Sequence, residues 1–210
     1  METSPVRLLL VAALSACLFV GIAREAAAEP LDDLLSRLQT LEQLQGKFIQ
    51  QQYDQGGEVL LESSGRFMVL RPGYFAWEIL EPDSQLVIAD PEHLWHHDRD
   101  LETVTRRPIA GQQMAPLQVL GGNENLLRER FIVTTEGAGR YRLEPSAGDP
   151  GFRRLTLIFD GLSLAAMEIV DQLNQRVSVQ LSDLDQSSPL SPDEFAFSPP
   201  IDADLFVYDE

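Results

Sequence analysis

From Lys47 onward the chain is a close succession of short apolar runs separated by turn residues, and no other feature restricts its fold so strongly. The runs occupy 47–53, 58–71, 74–80, 85–90, 93–98 and 101–107. After a break they resume at 131–135, 140–144, 152–160, 162–171 and 174–183. Tyr53-Asp54-Gln55-Gly56-Gly57-Glu58 has the composition of a hairpin connection, and Glu81-Pro82-Asp83-Ser84 that of a tight turn. Short strands at regular spacing predict a continuous antiparallel meander that curls into a barrel or half-barrel. No repeat or long linker divides it, so residues 29–210 read as one domain.

Several of these strands lack a polar face. Phe67-Met68-Val69-Leu70 and Leu86-Val87-Ile88-Ala89 are apolar on both sides, as is Leu155–Phe159 apart from Thr156. A one-sided antiparallel sheet should alternate apolar and polar residues. Either something covers each face, or one face lines an apolar cavity; the pattern leaves both open. One helical cover is predicted to start at Pro30, with Asp32 and Asp33 suited to a helix N-terminus and Gly46 to its end. Leu31, Leu34, Leu35, Leu38, Leu41 and Leu44 would give it a leucine face, either packed on the sheet or closing over a cavity. The break at 111–130 predicts a short helix from Met114-Ala115-Pro116-Leu117 to Gly121-Gly122, then a second helical turn at 124–130. A Pro/Ser-rich tail with Phe195, Phe197 and Phe206 closes the chain.

Residues 1–28 have a different character. Arg7, an apolar run ending at Ile22 and Ala26-Ala27-Ala28 stand in the order of a cleavable secretory signal peptide. The apolar run is shorter than the roughly 20 residues that span a bilayer. Cleavage after Ala28 would remove Cys17, the one cysteine, and leave a domain that depends on packing alone in an oxidising compartment. Leu14-Ser15-Ala16-Cys17 also resembles a lipobox, but Leu18-Phe19-Val20 continues the apolar run where a lipoprotein tether is normally polar. The net charge of −17 disfavours nucleic acid and anionic lipid surfaces.

Catalytic signatures are scarce. There is no Gly-x-Ser-x-Gly elbow, His-Glu-x-x-His pair or phosphate-binding glycine loop. The one cluster to weigh is His93-Leu94-Trp95-His96-His97-Asp98-Arg99-Asp100. On a strand, His93 and His97 face one side and His96 the other, so a zinc site would lack ligands. No metal or cofactor is expected.

The stretch from Arg71 to Trp77 is the most telling. Arg71-Pro72-Gly73 ends one strand, and Tyr74-Phe75-Ala76-Trp77-Glu78 begins the next. Arg71 is in phase with Phe67 and Val69, while Phe75 and Trp77 share a face. Spacing alone favours a surface arginine paired with Glu78 or Glu81 over a guanidinium at an apolar rim.

Arg71-Pro72-Gly73-x-Phe75-x-Trp77-Glu78, Gln85-Leu86-Val87-x-x-Asp90 and Leu94-Trp95-x-x-Asp98 resemble the outer-membrane lipoprotein carrier family, LolA. So do Gly151-Phe152-Arg153-Arg154-Leu155-Thr156-Leu157, Phe159-Asp160-x-x-x-Leu164-x-x-Met167-Glu168 and Leu181-Ser182-Asp183. The resemblance implies an incomplete antiparallel β-barrel with a short-helix lid over an apolar cavity. It implies a non-catalytic periplasmic carrier that takes lipoprotein acyl chains from an inner-membrane ABC transporter and delivers them to an outer-membrane receptor. The family's lid-latching arginine falls on Arg71, and its aromatic cavity positions on Phe75 and Trp77. The cavity lining is expected from Leu34, Leu38, Phe67, Val69, Phe75, Trp77, Leu86, Ile88 and Leu117, in a protein acting as a monomer. The competing expectation is the outer-membrane receptor of the same fold, anchored through Cys17.

Overall fold

The computed structural model describes residues 29–109, 119–120, 124–146 and 151–208. Helix α1 (Pro30–Gln39) precedes six strands: β1 (Gln43–Tyr53), β2 (Val59–Leu70), β3 (Tyr74–Glu81), β4 (Gln85–Ala89), β5 (His93–Asp98) and β6 (Thr103–Pro108). Val119 and Leu120 are helical and buried. Helix α2 (Glu124–Arg130) leads into β7 (Phe131–Thr135), β8 (Arg140–Pro145), β9 (Phe152–Asp160), β10 (Ser163–Asp171) and β11 (Arg176–Asp185). A single 3-10 turn (Pro192–Phe195) and β12 (Asp204–Val207) follow.

All twelve strands form one sheet in the order β12-β6-β5-β4-β3-β2-β1-β11-β10-β9-β8-β7. Two antiparallel meanders, β1–β6 and β7–β11, are therefore joined where β11 pairs with β1, with Phe48 opposite Leu181. The sheet is open, since β7 and β12 end it without meeting. The predicted mainly-β, incomplete-barrel class holds. β12 was not legible in the sequence: it adds to β6 in parallel, and its four residues are exposed.

The first helix ends earlier than its leucine rhythm suggests. Thr40 caps α1, and Leu41 and Leu44 are buried from the connection and from β1. Gly46 is not a helix stop. It lies in β1 at a register shift, where a Cβ would come 2.8 Å from the Ser182 carbonyl oxygen. Close backbone approach, not a turn, explains the glycine.

The two-sided apolarity of 67–70 and 86–89 is explained by two separate covers. On the inner face, Phe48, Phe67, Val69, Phe75, Trp77, Leu155, Leu157 and Phe159 pack with Leu34, Leu35 and Leu38 of α1. On the outer face, Ala76 and Ile88 pack with Phe195, flanked by Met68, Leu86, Trp95 and Phe197. The tail is thus a structural cover, folded back over the outer face.

Candidate functional site

The inner face is organised around stacked aromatics. The Phe48 and Trp77 rings lie 3.7 Å apart and 16° from parallel, and Phe67 stands 5.9 Å from Trp77. Gly65 makes room for the stack: it lies opposite Phe48, and a Cβ there would come 2.9 Å from Phe48 Cζ. Leu34 and Leu38 are fully buried above this surface.

Arg71 sits where β2 leaves the sheet. Its backbone N–H donates to the Glu42 carbonyl at 2.8 Å, and its Nη1 donates to the Leu38 carbonyl oxygen at 2.6 Å. That carbonyl belongs to the last turn of α1, where the helix dipole favours a cation. Burial pushes the Arg71 guanidinium below its ordinary pKa, since the charge is partly removed from water. The expected surface pair does not form with Glu78. That carboxylate lies on the outer face, bonded by Arg66 Nε and, at 2.8 Å, by Arg99 Nη2. Burial alone would raise the Glu78 carboxyl, but the two arginines together hold it below the usual carboxylate value. A pocket of about 410 Å³ beside Arg71 is lined by Leu35, Gln39, Glu42, Leu70, Pro72 and Glu124.

Of the residues expected together, Leu34, Leu38, Phe67, Val69, Phe75 and Trp77 share one apolar cluster. Leu86 and Ile88 do not. Ile88 pairs with Ala76 and Leu86 with Glu78, which places both on the outer face under Phe195 and Phe197. Val87 and Ala89 take the inner positions. Both parities of β4 are apolar, so only the pairing with β3 fixes which residues face inward. Leu117 lies outside the described residues.

The histidines diverge. His97 packs 5.7 Å from the Phe197 ring on the outer face, and His96 Nε2 is 3.4 Å from Gln85 Oε1. His93 Nδ1 lies 3.9 Å from Asp90. Among the described residues, no group of three or more His, Cys, Asp or Glu is placed to hold a metal.

A second polar arrangement on α1 was missed by sequence reasoning. Asp33 accepts a hydrogen bond from the Tyr141 hydroxyl of β8, and Arg37 Nη1 donates to the Gly161 carbonyl at 2.6 Å. Partners more than a hundred residues apart leave no local pattern to read.

The family model described as outer membrane lipoprotein carrier protein LolA matches residues 39–198. The chain belongs to the LolA family. Outer-membrane lipoprotein carrier proteins from Alkalilimnicola ehrlichii and Dechloromonas aromatica are 34% and 35% identical over 198 residues. Those alignments cover 94% and 91% of this chain, and 92% and 94% of the relatives. The crystal structure of a LolA superfamily protein from Nitrosomonas europaea matches with a TM-score of 0.51 at 10% identity, covering 80% of this chain and 98% of that one. An uncharacterized conserved protein from Thermus thermophilus matches at 0.52 and 14% identity, covering 84% and 98%. At such identities the two structures share a fold and nothing finer. The LolA family is one of lipoprotein carriers, which fits an open sheet with a wide apolar inner face.

Proposed function

We propose that this LolA-family chain is exported to the periplasm, with residues 1–28 removed as a signal peptide, and carries lipoproteins by their acyl chains without catalysing a reaction. It receives them from an inner-membrane ABC transporter and passes them to an outer-membrane receptor. The observation that carries this reading is the Arg71–Leu38 bond, which ties the end of a leucine-faced helix to the rim of an apolar surface. In the closed form, Leu34 and Leu38 occupy the ground above Phe67, Val69, Phe75 and Trp77. When α1 lifts, acyl chains take the place of those leucines.

Magnitudes explain why a latch is useful. Each buried methylene gains about 0.8 kcal/mol, so one long acyl chain gains roughly 10 kcal/mol in a dry site. Binding of that strength without a counterweight would retain the cargo. A charged hydrogen bond that must break on loading costs about 1.5–3 kcal/mol and weakens net affinity by that amount. Arg71 is suited to the role because it keeps its charge at any physiological pH.

Arg71→Leu is expected to load lipoprotein but hand it over poorly in a reconstituted system with transporter, carrier and receptor. Normal hand-over by the variant would remove the latch from the mechanism. Mass spectrometry of the protein isolated from the envelope should find Glu29 as the first residue; an acylated Cys17 would instead make the chain the receptor.

A further inference from the structure

The Arg71 bond holds α1 at only one of its ends. The helix joins β1 through Thr40–Glu42, so its C-terminal end is tethered close to the sheet whatever the rest of it does. A rigid helix on such a tether swings with its N-terminal end moving furthest. Leu38 lies beside the pivot, whereas Asp33 lies about 7.5 Å further along the axis at 1.5 Å per residue. The contact made by Asp33 therefore acts with more leverage on the moving part, and Arg37, from nearer the pivot, adds to it through its approach to Asp33.

Those contacts are specific. Tyr141 is 1% exposed, and its hydroxyl donates to Asp33 Oδ2, a hydrogen bond strengthened by the carboxylate charge. Burial and the Asp33 bond both raise the phenol pKa, so the proton stays on Tyr141 as donor. The Arg37 guanidinium lies 5.5 Å from the Tyr141 ring centre and 5.7 Å from that of Phe159, and reaches the Gly161 carbonyl in the β9–β10 turn. Arg37 also lies 3.6 Å from Asp33. The partners of Asp33 and Arg37, β8 and the β9–β10 turn, belong to the second meander, whereas Arg71 belongs to the first.

We propose that Asp33, Arg37 and Tyr141 form a second latch that closes the swinging end of α1 against the β7–β11 half of the sheet, and that it must open with the Arg71 bond when cargo enters. This rests on the reading of α1 as a cover that lifts for acyl chains. The three are positioning residues: they set how readily the helix opens and do not hold the cargo.

The test uses the protein recovered from the periplasm after export, carrying Cys17→Ser and a nitroxide on Ser36→Cys, an exposed position of α1. The probe is a synthetic peptide with an N-terminal S-diacylglyceryl cysteine. Tyr141→Phe removes only the hydroxyl and keeps the ring; Asp33→Asn is the second variant, weakening the acceptor without changing its shape. In each, the label should become more mobile without ligand, and the lipopeptide should bind about ten-fold more tightly, as expected for loss of one charged hydrogen bond. A purely structural role would lower the melting temperature without tightening binding. Unchanged or weaker binding, with the label still responding to lipopeptide in the parent protein, would overturn the second latch and leave the cover reading standing. A label that does not respond to lipopeptide at all would overturn both.

Discussion

The two faces of this sheet both carry apolar surface and are covered in opposite ways. The inner cover is a ten-residue helix. It lays leucines on stacked aromatics and is fixed by a few directional polar bonds at its ends. The outer cover is the tail, fixed by interlocked rings: Phe195 lies 5.6 Å from Tyr74, and Phe197 5.4 Å from Trp95. Ser191 and Glu194 cap the turn that presents Phe195. Ring packing is lost gradually and only at large cost, whereas a hydrogen-bonded end can break and re-form at small cost. One cover is suited to staying and the other to leaving.

The comparison can be broken most directly at the outer face. Phe195→Ala should lower stability by about 3–4 kcal/mol in urea unfolding, since the ring is almost fully buried. Lipopeptide affinity under native conditions should stay the same; a large change would mean that the two covers are coupled through the sheet. Gly65→Ala attacks the inner face. Its Cβ would lie 1.8 Å from the Glu78 carbonyl oxygen, so β2 and β3 must shift and the Phe48–Trp77 stack with them. A loss of about 1–3 kcal/mol is expected, this time with altered lipopeptide binding. The smallest effect is electrostatic. The Glu78 pKa is depressed in the folded state, so its contribution is full above the ordinary carboxylate value of 4.5 and is lost as pH falls below it. Glu78→Gln should flatten the acid side of a plot of melting temperature against pH and leave the neutral region nearly level.

How much of this was legible in the sequence depended on whether the signal was local. Strand positions were legible because turns such as Glu81-Pro82-Asp83-Ser84 punctuate short apolar runs. Phase was illegible in both 67–70 and 86–89, where every residue is apolar; the pairing with β3 decides it in each. The end of α1 was misplaced because Leu41 and Leu44 continue the helical rhythm by accident of two different elements burying leucine. Arg71 illustrates the limit of spacing. Glu78 is a near neighbour in sequence, but β3 turns it to the other face, and the partner found is a backbone carbonyl that no sequence pattern marks.

The position of β1 has a kinetic consequence. It is the seam of the sheet, flanked by β2 on one side and β11 on the other, so Phe48 must find Leu181 before the two halves become one. The helix just ahead of it seats on Tyr141 and Gly161. The first segments of the chain therefore dock in part on their neighbour β2 and in part on the last third. Closing loops that long is slow, so the joining of β1 to β11 should be a late step in folding.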